Sequence, residues 1–181
     1  MVKVVCIHGT ESGGSERHAK RLSKSWPKAN FDQSKDFMSG NDAASVGLEA
    51  LAAKYDAFVI VSSSYGDGDP PSNFENFLRA LYTADEGVLA GKQHCVLGYG
   101  STDYETFQNC PRLTDKLMGA LLCGNQPVCR VHRQFFTKPF LDDDAAVLAQ
   151  SGGEERASPR HRAGVASMAW RSTLRFRTNA P

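Results

Sequence analysis

Three short polar stretches hold the residues of this sequence that could do chemistry. The longest is Ser63-Ser64-Tyr65-Gly66-Asp67-Gly68-Asp69-Pro70-Pro71-Ser72-Asn73, a hydroxyl- and glycine-rich turn with one aromatic residue. Another is Gly9-Thr10-Glu11-Ser12-Gly13-Gly14-Ser15, and the third is Gly100-Ser101-Thr102-Asp103-Tyr104-Glu105-Thr106-Phe107. Hydroxyls and backbone N–H groups at a helix start suit an anion, because the first turn of a helix has N–H groups without intrahelical acceptors. Tyrosines in polar turns suit a flat ring. The first stretch alone fits either an anion site or a capped turn with no ligand.

These stretches need elements to position them. Each follows an apolar, β-branched run that reads as a buried strand: Val2 to Ile7, Phe58 to Val61, and His94 to Gly100. Each precedes a helical pattern. Ala19, Leu22 and Trp26 mark the first; Phe74, Phe77, Leu78 and Leu81 mark the second, with Ser72-Asn73 as its cap; Leu113, Leu117, Ala120 and Leu121 mark the third, stopped near Cys123-Gly124-Asn125. Between the first and second units, Ala44 to Lys54 reads as a helix with Val46, Leu48, Leu51 and Ala52 on its apolar side. Residues 29–41 are polar, so a second strand is poorly written there. Val128 to Phe136 could form the last strand.

Strands alternating with helices imply a mainly parallel, doubly wound sheet with right-handed crossovers. In the strand order 2-1-3-4-5, the three stretches lie along one edge at the switch point. The set suits a ligand with a phosphate at one end and a planar ring at the other.

Other chemistries fit poorly. Gly9-x4-Gly14 is followed by Ser15-Glu16 where a P-loop needs Lys and a hydroxyl, and Gly98-x-Gly100 has Asp103 in place of the third dinucleotide glycine. No cysteine precedes an arginine at phosphatase spacing, and no Gly-x-Ser-x-Gly elbow occurs. The histidines at 8, 18, 94, 132 and 161 lack ligand spacing, Asp142 to Asp144 read as a solvated helix start, and Cys110 reads as a small buried residue.

At 181 residues the chain is expected to form one domain over residues 1–150, followed by a basic, Arg-rich, irregular tail over 151–181. The domain has 15 Lys/Arg against 18 Asp/Glu and the tail six Arg against two Glu, which argues against a nucleic-acid partner for the domain. Five cysteines without paired spacing argue for a reducing compartment. A strand beginning directly after Met1 leaves no signal peptide, and no apolar run is long enough for a membrane span, so a cytoplasmic location is expected.

Over residues 2–123 these motifs resemble the flavodoxin superfamily, and most of all the flavin mononucleotide (FMN) domain of diflavin reductases and the sulfite reductase flavoprotein. The resemblance implies a flavodoxin-like sheet of order 2-1-3-4-5 and FMN as cofactor. Thr10, Glu11, Ser12, Gly13, Gly14 and Ser15 would hold the phosphate without a cation. Ser63, Ser64, Tyr65 and Gly66 would form the central flavin loop, and Gly100, Ser101, Asp103, Tyr104 and Phe107 the third, with Tyr65 and Tyr104 against the two ring faces. Gly66 would let its carbonyl turn toward the ring nitrogen that gains a proton on one-electron reduction. Asp67, Asp69, Asp103 and Glu105 would oppose added negative charge on the ring and steer basic partners.

The chain departs from the family at Ser101, where asparagine is usual, and at an irregular C-terminal end, where only Val128 to Phe136 and Asp142 to Asp144 faintly match the closing strand and acidic turn. The implied function is single-electron transfer between a separate reductase and a redox acceptor, away from membranes. Two alternatives are a degenerate module that binds a protein partner without flavin, and the detached FMN domain of a diflavin reductase.

Overall fold

The computed structural model describes residues 1–100, 103–123 and 132–137, the last as backbone only. In chain order the elements are β1 (Val4–His8), α1 (Gly14–Ser23), β2 (Phe37–Ser39), α2 (Gly40–Val46), α3 (Leu48–Lys54), β3 (Ala57–Ser63), α4 (Glu75–Thr83), β4 (Gln93–Gly100), α5 (Asn109–Cys123) and β5 (His132–Thr137). All five strands run parallel in the order β2-β1-β3-β4-β5, as the alternation of strands and helices predicts. The chain is a flavodoxin-like α/β fold.

Both sheet faces are covered, which is why the strands read as near-continuous apolar runs. Val5, Ile7, Phe58, Ile60 and Val96 pack on one face against Leu48, Leu51, Phe77, Leu81 and Met118 of the helices. Val4, Cys6, Val59, Val61, Leu97 and Tyr99 form the other face, against Ala19 of α1 and Phe31. No helix among the described residues is long and apolar enough to cross a membrane, and among them no His/Cys/Asp/Glu group could hold a metal ion.

Three local expectations change. The helix expected over Ala44 to Lys54 begins at Gly40 and is split by Gly47, whose φ of 89° ends α2. Val46, placed on the apolar side, is half exposed. In α5 Leu113 and Ala120 face solvent; the buried face instead runs through Cys110, Thr114, Asp115, Met118, Leu121 and Leu122, two of which are polar and hide it from a hydrophobicity pattern. Ser72 and Asn73 do not cap α4: Phe74 occupies the cap position with no side-chain bond. Asn41 supplies the cap from α2, its Oδ1 accepting the Asn76 N–H at 3.0 Å. The last strand is described over His132–Thr137, while residues 128–131 of the expected strand, Asp142 to Asp144 and the tail over 151–181 lie outside the described residues.

β2 has only three residues, yet its position is well fixed. Cys6 pairs with Phe37, and Cys6 N–H donates to Asp36 O at 2.8 Å. The Asp36 carboxylate accepts from Tyr55 Oη–H at 2.8 Å and Asp32 N–H at 2.9 Å, with Lys54 Nζ at 3.4 Å. Burial alone would raise this carboxyl, but those hydrogen bonds and the Lys54 charge outweigh it and hold it below the usual range. A depressed folded-state pKa stabilises the fold above the unfolded value, and that contribution is lost as pH falls through the folded one. Asp36→Asn is therefore expected to lower stability by about 1–2 kcal/mol at pH 7. The gap to wild type should begin to close below about pH 4 and shrink further as pH falls toward the lowered folded-state value; urea midpoints at pH 7 and pH 3 measure both.

Candidate functional site

The parallel arrangement brings three loops to the carboxyl ends of β1, β3 and β4, where such sheets form ligand sites. Loop 1 (residues 9–13) leaves β1 with Gly9 N–H on Val61 O at 2.9 Å. It enters α1 through Gly13 (φ 82°, ψ −1°), and no side chain caps the helix. The first intrahelical bond is Arg17 N–H to Gly13 O at 3.1 Å, so the N–H groups of Gly14, Ser15 and Glu16 precede it. Thr10 and Ser15 are buried, while Ser12 is exposed. The Glu16 carboxylate, which would repel an anion, is drawn along the helix to Lys20.

His8, the last residue of β1, is buried and stacked on Phe37 at 4.8 Å between ring centroids. Burial pushes its pKa below the ordinary value, with Lys20 adding to the effect and Glu16 and Asp42 opposing it. The imidazole is therefore neutral at pH 7. Loop 1 thus offers an anion N–H groups, hydroxyls and a helix dipole, with no cation from His8.

Loop 2 (residues 64–73) contains a closed hairpin. Tyr65 N–H donates to Asp69 O at 2.9 Å, Asp69 N–H to Tyr65 O at 2.8 Å, and Gly68 N–H to Tyr65 O at 3.0 Å. Gly66 (φ 51°) and Gly68 (φ 104°) supply the left-handed backbone this turn requires. The Tyr65 ring is 59% exposed. In loop 3, Ser101 and Thr102 lie outside the described residues. Tyr104 is 68% exposed, and Phe107 N–H donates to Tyr104 O at 3.1 Å. Phe107 itself packs against Gly100, where an added Cβ would lie 3.2 Å from the ring. Asp67, Asp69, Asp103 and Glu105 are all exposed on loops 2 and 3.

The loops are fastened to one another. Asn73 Oδ1 accepts Thr10 N–H at 2.8 Å, and Glu11 Oε2 accepts Ser72 N–H at 2.8 Å, joining loops 1 and 2. Ser64 Oγ accepts Cys110 N–H at 3.0 Å, joining loop 2 to the start of α5. The buried Ser62 hydroxyl lies 3.7 Å from Cys110 Sγ, and Thr114 Oγ1–H donates to Cys110 O at 2.8 Å. Burial pushes the Cys110 thiol up to about 11, so at neutral pH it is a packing group rather than a nucleophile.

Thr10, Glu11, Ser12, Gly13, Gly14 and Ser15 thus lead into the start of α1, while Ser63 ends β3 and Ser64, Tyr65 and Gly66 open loop 2 on the neighbouring strand. Gly100, Asp103, Tyr104 and Phe107 follow on loop 3. Glu11 and Ser64 reach other loops with their side chains. Asn41, Ser62 and Thr114 support the site but carry no local sequence signal, because their partners lie 31 or more residues away, or, for Thr114, on a helix face that reads as polar; Asn73 reads locally as a cap but serves Thr10 instead. The uncapped start of α1 presents hydrogen-bond donors, and Tyr65 and Tyr104 present exposed rings on the loops after β3 and β4.

A family profile described as Flavodoxin matches residues 7–126. The chain is 28% identical over 134 residues to the NADPH–cytochrome P450 reductase of Sus scrofa, covering 65% of this chain and 17% of that protein. It is 37% identical over 81 residues to the nitric oxide synthase of Drosophila melanogaster, covering 45% and 6%. The match to these curated relatives therefore spans 17% or less of their length. The fold superposes on that of oxidised flavodoxin 2 from Bacillus cereus with a TM-score of 0.56 and 24% identity, over 75% of this chain and 85% of that one.

Proposed function

Because the chain belongs to the flavodoxin family, we propose that it binds FMN and passes single electrons between a separate reductase and a redox acceptor. The observation that carries this reading is the fastening of loop 1 to loop 2 and of loop 2 to the start of α5, at a sheet edge where an uncapped helix start and two exposed tyrosines lie on the loops of neighbouring strands. Bound FMN supplies the one-electron chemistry. The chain's own part is to hold and tune it.

In this reading the N–H groups of Gly14 and Ser15 and the hydroxyls of Thr10, Ser12 and Ser15 bind the phosphate, with no cation needed. Tyr65 and Tyr104 cover the ring faces and exclude water from them. The Gly66 carbonyl, in the hairpin turn, would accept a hydrogen bond from a ring N–H, and Ser63, Ser64 and Gly100 would shape the backbone around the ring. Asp67, Asp69, Asp103 and Glu105 make added negative charge at the ring unfavourable, favouring donation, and attract basic partner surfaces. The match to segments of larger relatives, one of them a reductase by name, favours a second reading in which the chain serves as the FMN unit of a diflavin system. Co-purification with a reductase would support it.

Titration of the flavin-free protein with FMN, followed by flavin fluorescence, is expected to saturate at one FMN per chain. Tyr104→Ala should weaken that binding about 2- to 12-fold, the loss of one aromatic stacking partner, with an unchanged urea midpoint. Failure of the wild type to take up FMN would leave the flavin-free interaction module as the better account.

A further inference from the structure

The segment between the hairpin and α4 is gripped from two sides. On one side Asn41 engages it with every polar group but its carbonyl: its N–H donates to Asn73 O at 2.9 Å, its Nδ2–H to Ser72 O at 2.9 Å, and its Oδ1 accepts Asn76 N–H at 3.0 Å. On the other side Ser72 and Asn73 turn to loop 1. Asn73 Oδ1 takes the Thr10 N–H at 2.8 Å, and the Glu11 carboxylate brackets Ser72, accepting its N–H at 2.8 Å and its hydroxyl at 3.3 Å. Two residues placed to cap their own helix instead serve the loop across the switch point.

We propose that Glu11 and Asn73 are positioning residues that hold loop 1 in its anion-ready shape, anchored to α2 through Asn41; this rests on the FMN reading. A carboxylate inside a phosphate-binding loop is unfavourable for a phosphate dianion unless it is drawn elsewhere. Here two donors of Ser72 draw it away from the helix start. Tying the loop before a ligand arrives also removes the ordering cost that a loose glycine-rich loop would pay on binding. The clasp should therefore matter for ligands that carry the phosphate and be indifferent to the ring alone.

The test compares Glu11→Ala with Glu11→Gln, both uncharged, so that the lost acceptor is separated from the lost charge. The Gln variant keeps an oxygen for Ser72 N–H and should bind FMN at least as tightly as wild type. The Ala variant should bind FMN about tenfold more weakly than the Gln variant. Riboflavin, which lacks the phosphate, should bind both alike, and in the flavin-free Ala variant the Ser72 and Thr10 amides should exchange faster. Asn73→Ala should lower FMN affinity in the same direction. Equal FMN binding by the Ala and Gln variants overturns the clasp, as does a parallel loss of FMN and riboflavin, which would mark general loosening. Wild-type protein that takes up neither flavin sinks the electron-carrier reading and this role with it; unchanged amide exchange then removes the clasp on separate grounds.

Discussion

Gly68→Ala is expected to weaken FMN binding about 30- to 150-fold while moving the urea midpoint of the flavin-free protein little. Gly68 has φ 104°, a backbone conformation that an L side chain enters only under strain, and an added Cβ would lie 2.6 Å from Asn109 Nδ2 and 2.9 Å from Thr106 Cβ. The amide tip can swing aside; the Thr106 Cβ is tied to the backbone of loop 3 and cannot. Strain and overlap together amount to about 2–3 kcal/mol, which is the stated range of affinity. The hairpin is exposed, so it relieves the overlap by moving away from loop 3 and the fold survives. That movement separates Tyr65 from Tyr104. Gly66→Ala is the comparison, because its φ of 51° also strains an L side chain, by about 1 kcal/mol, but nothing stands within 4 Å of its added Cβ. Its effect should stay near or below tenfold. A Gly68→Ala protein that binds FMN within threefold of wild type would remove the hairpin from the site.

The contrast between these glycines also marks where sequence reading works. Turn chemistry is local, so Gly66-Asp67-Gly68 announces a turn after the Phe58 to Val61 run, and that run announces a buried strand. The three loops were legible for the same reason. β2 was not, because Phe37–Ser39 takes its place from the register of β1 and from the Asp36 cluster rather than from a pattern of its own. The clasp was invisible too: Ser72-Asn73 looks like a cap by local rules, and only the fold reveals that Thr10, 63 residues away, claims the Asn73 oxygen. The buried face of α5 was misread because Thr114 and Asp115 are polar, and a periodicity of apolar residues passes over them.

Asp115 is where the largest loss of stability is expected. His94 on β4 and Asp115 on α5 meet with Nε2 and Oδ1 hydrogen-bonded at 3.2 Å, their side chains 0% and 3% exposed. Two polar groups in such a position gain little net stability over well-packed apolar ones, yet removing one partner leaves the other in a site that still excludes water. Asp115→Ala should therefore cost about 3–5 kcal/mol, a large part of the margin of about 5–15 kcal/mol by which a domain folds. His94→Leu should cost at least as much, since it leaves a buried Asp115 that has lost its imidazole partner. The pairing of His94→Leu with Asp115→Ala should recover much of that loss, because it removes both polar groups at roughly constant volume. Urea unfolding of the four flavin-free proteins gives the cycle, and additive losses in the double variant would show that the two residues do not act as a pair. The effect should also reach the ligand. The pair fixes α5 against β4, and the start of α5 carries loop 3, so saturating FMN should restore part of the stability of Asp115→Ala by binding only the folded form.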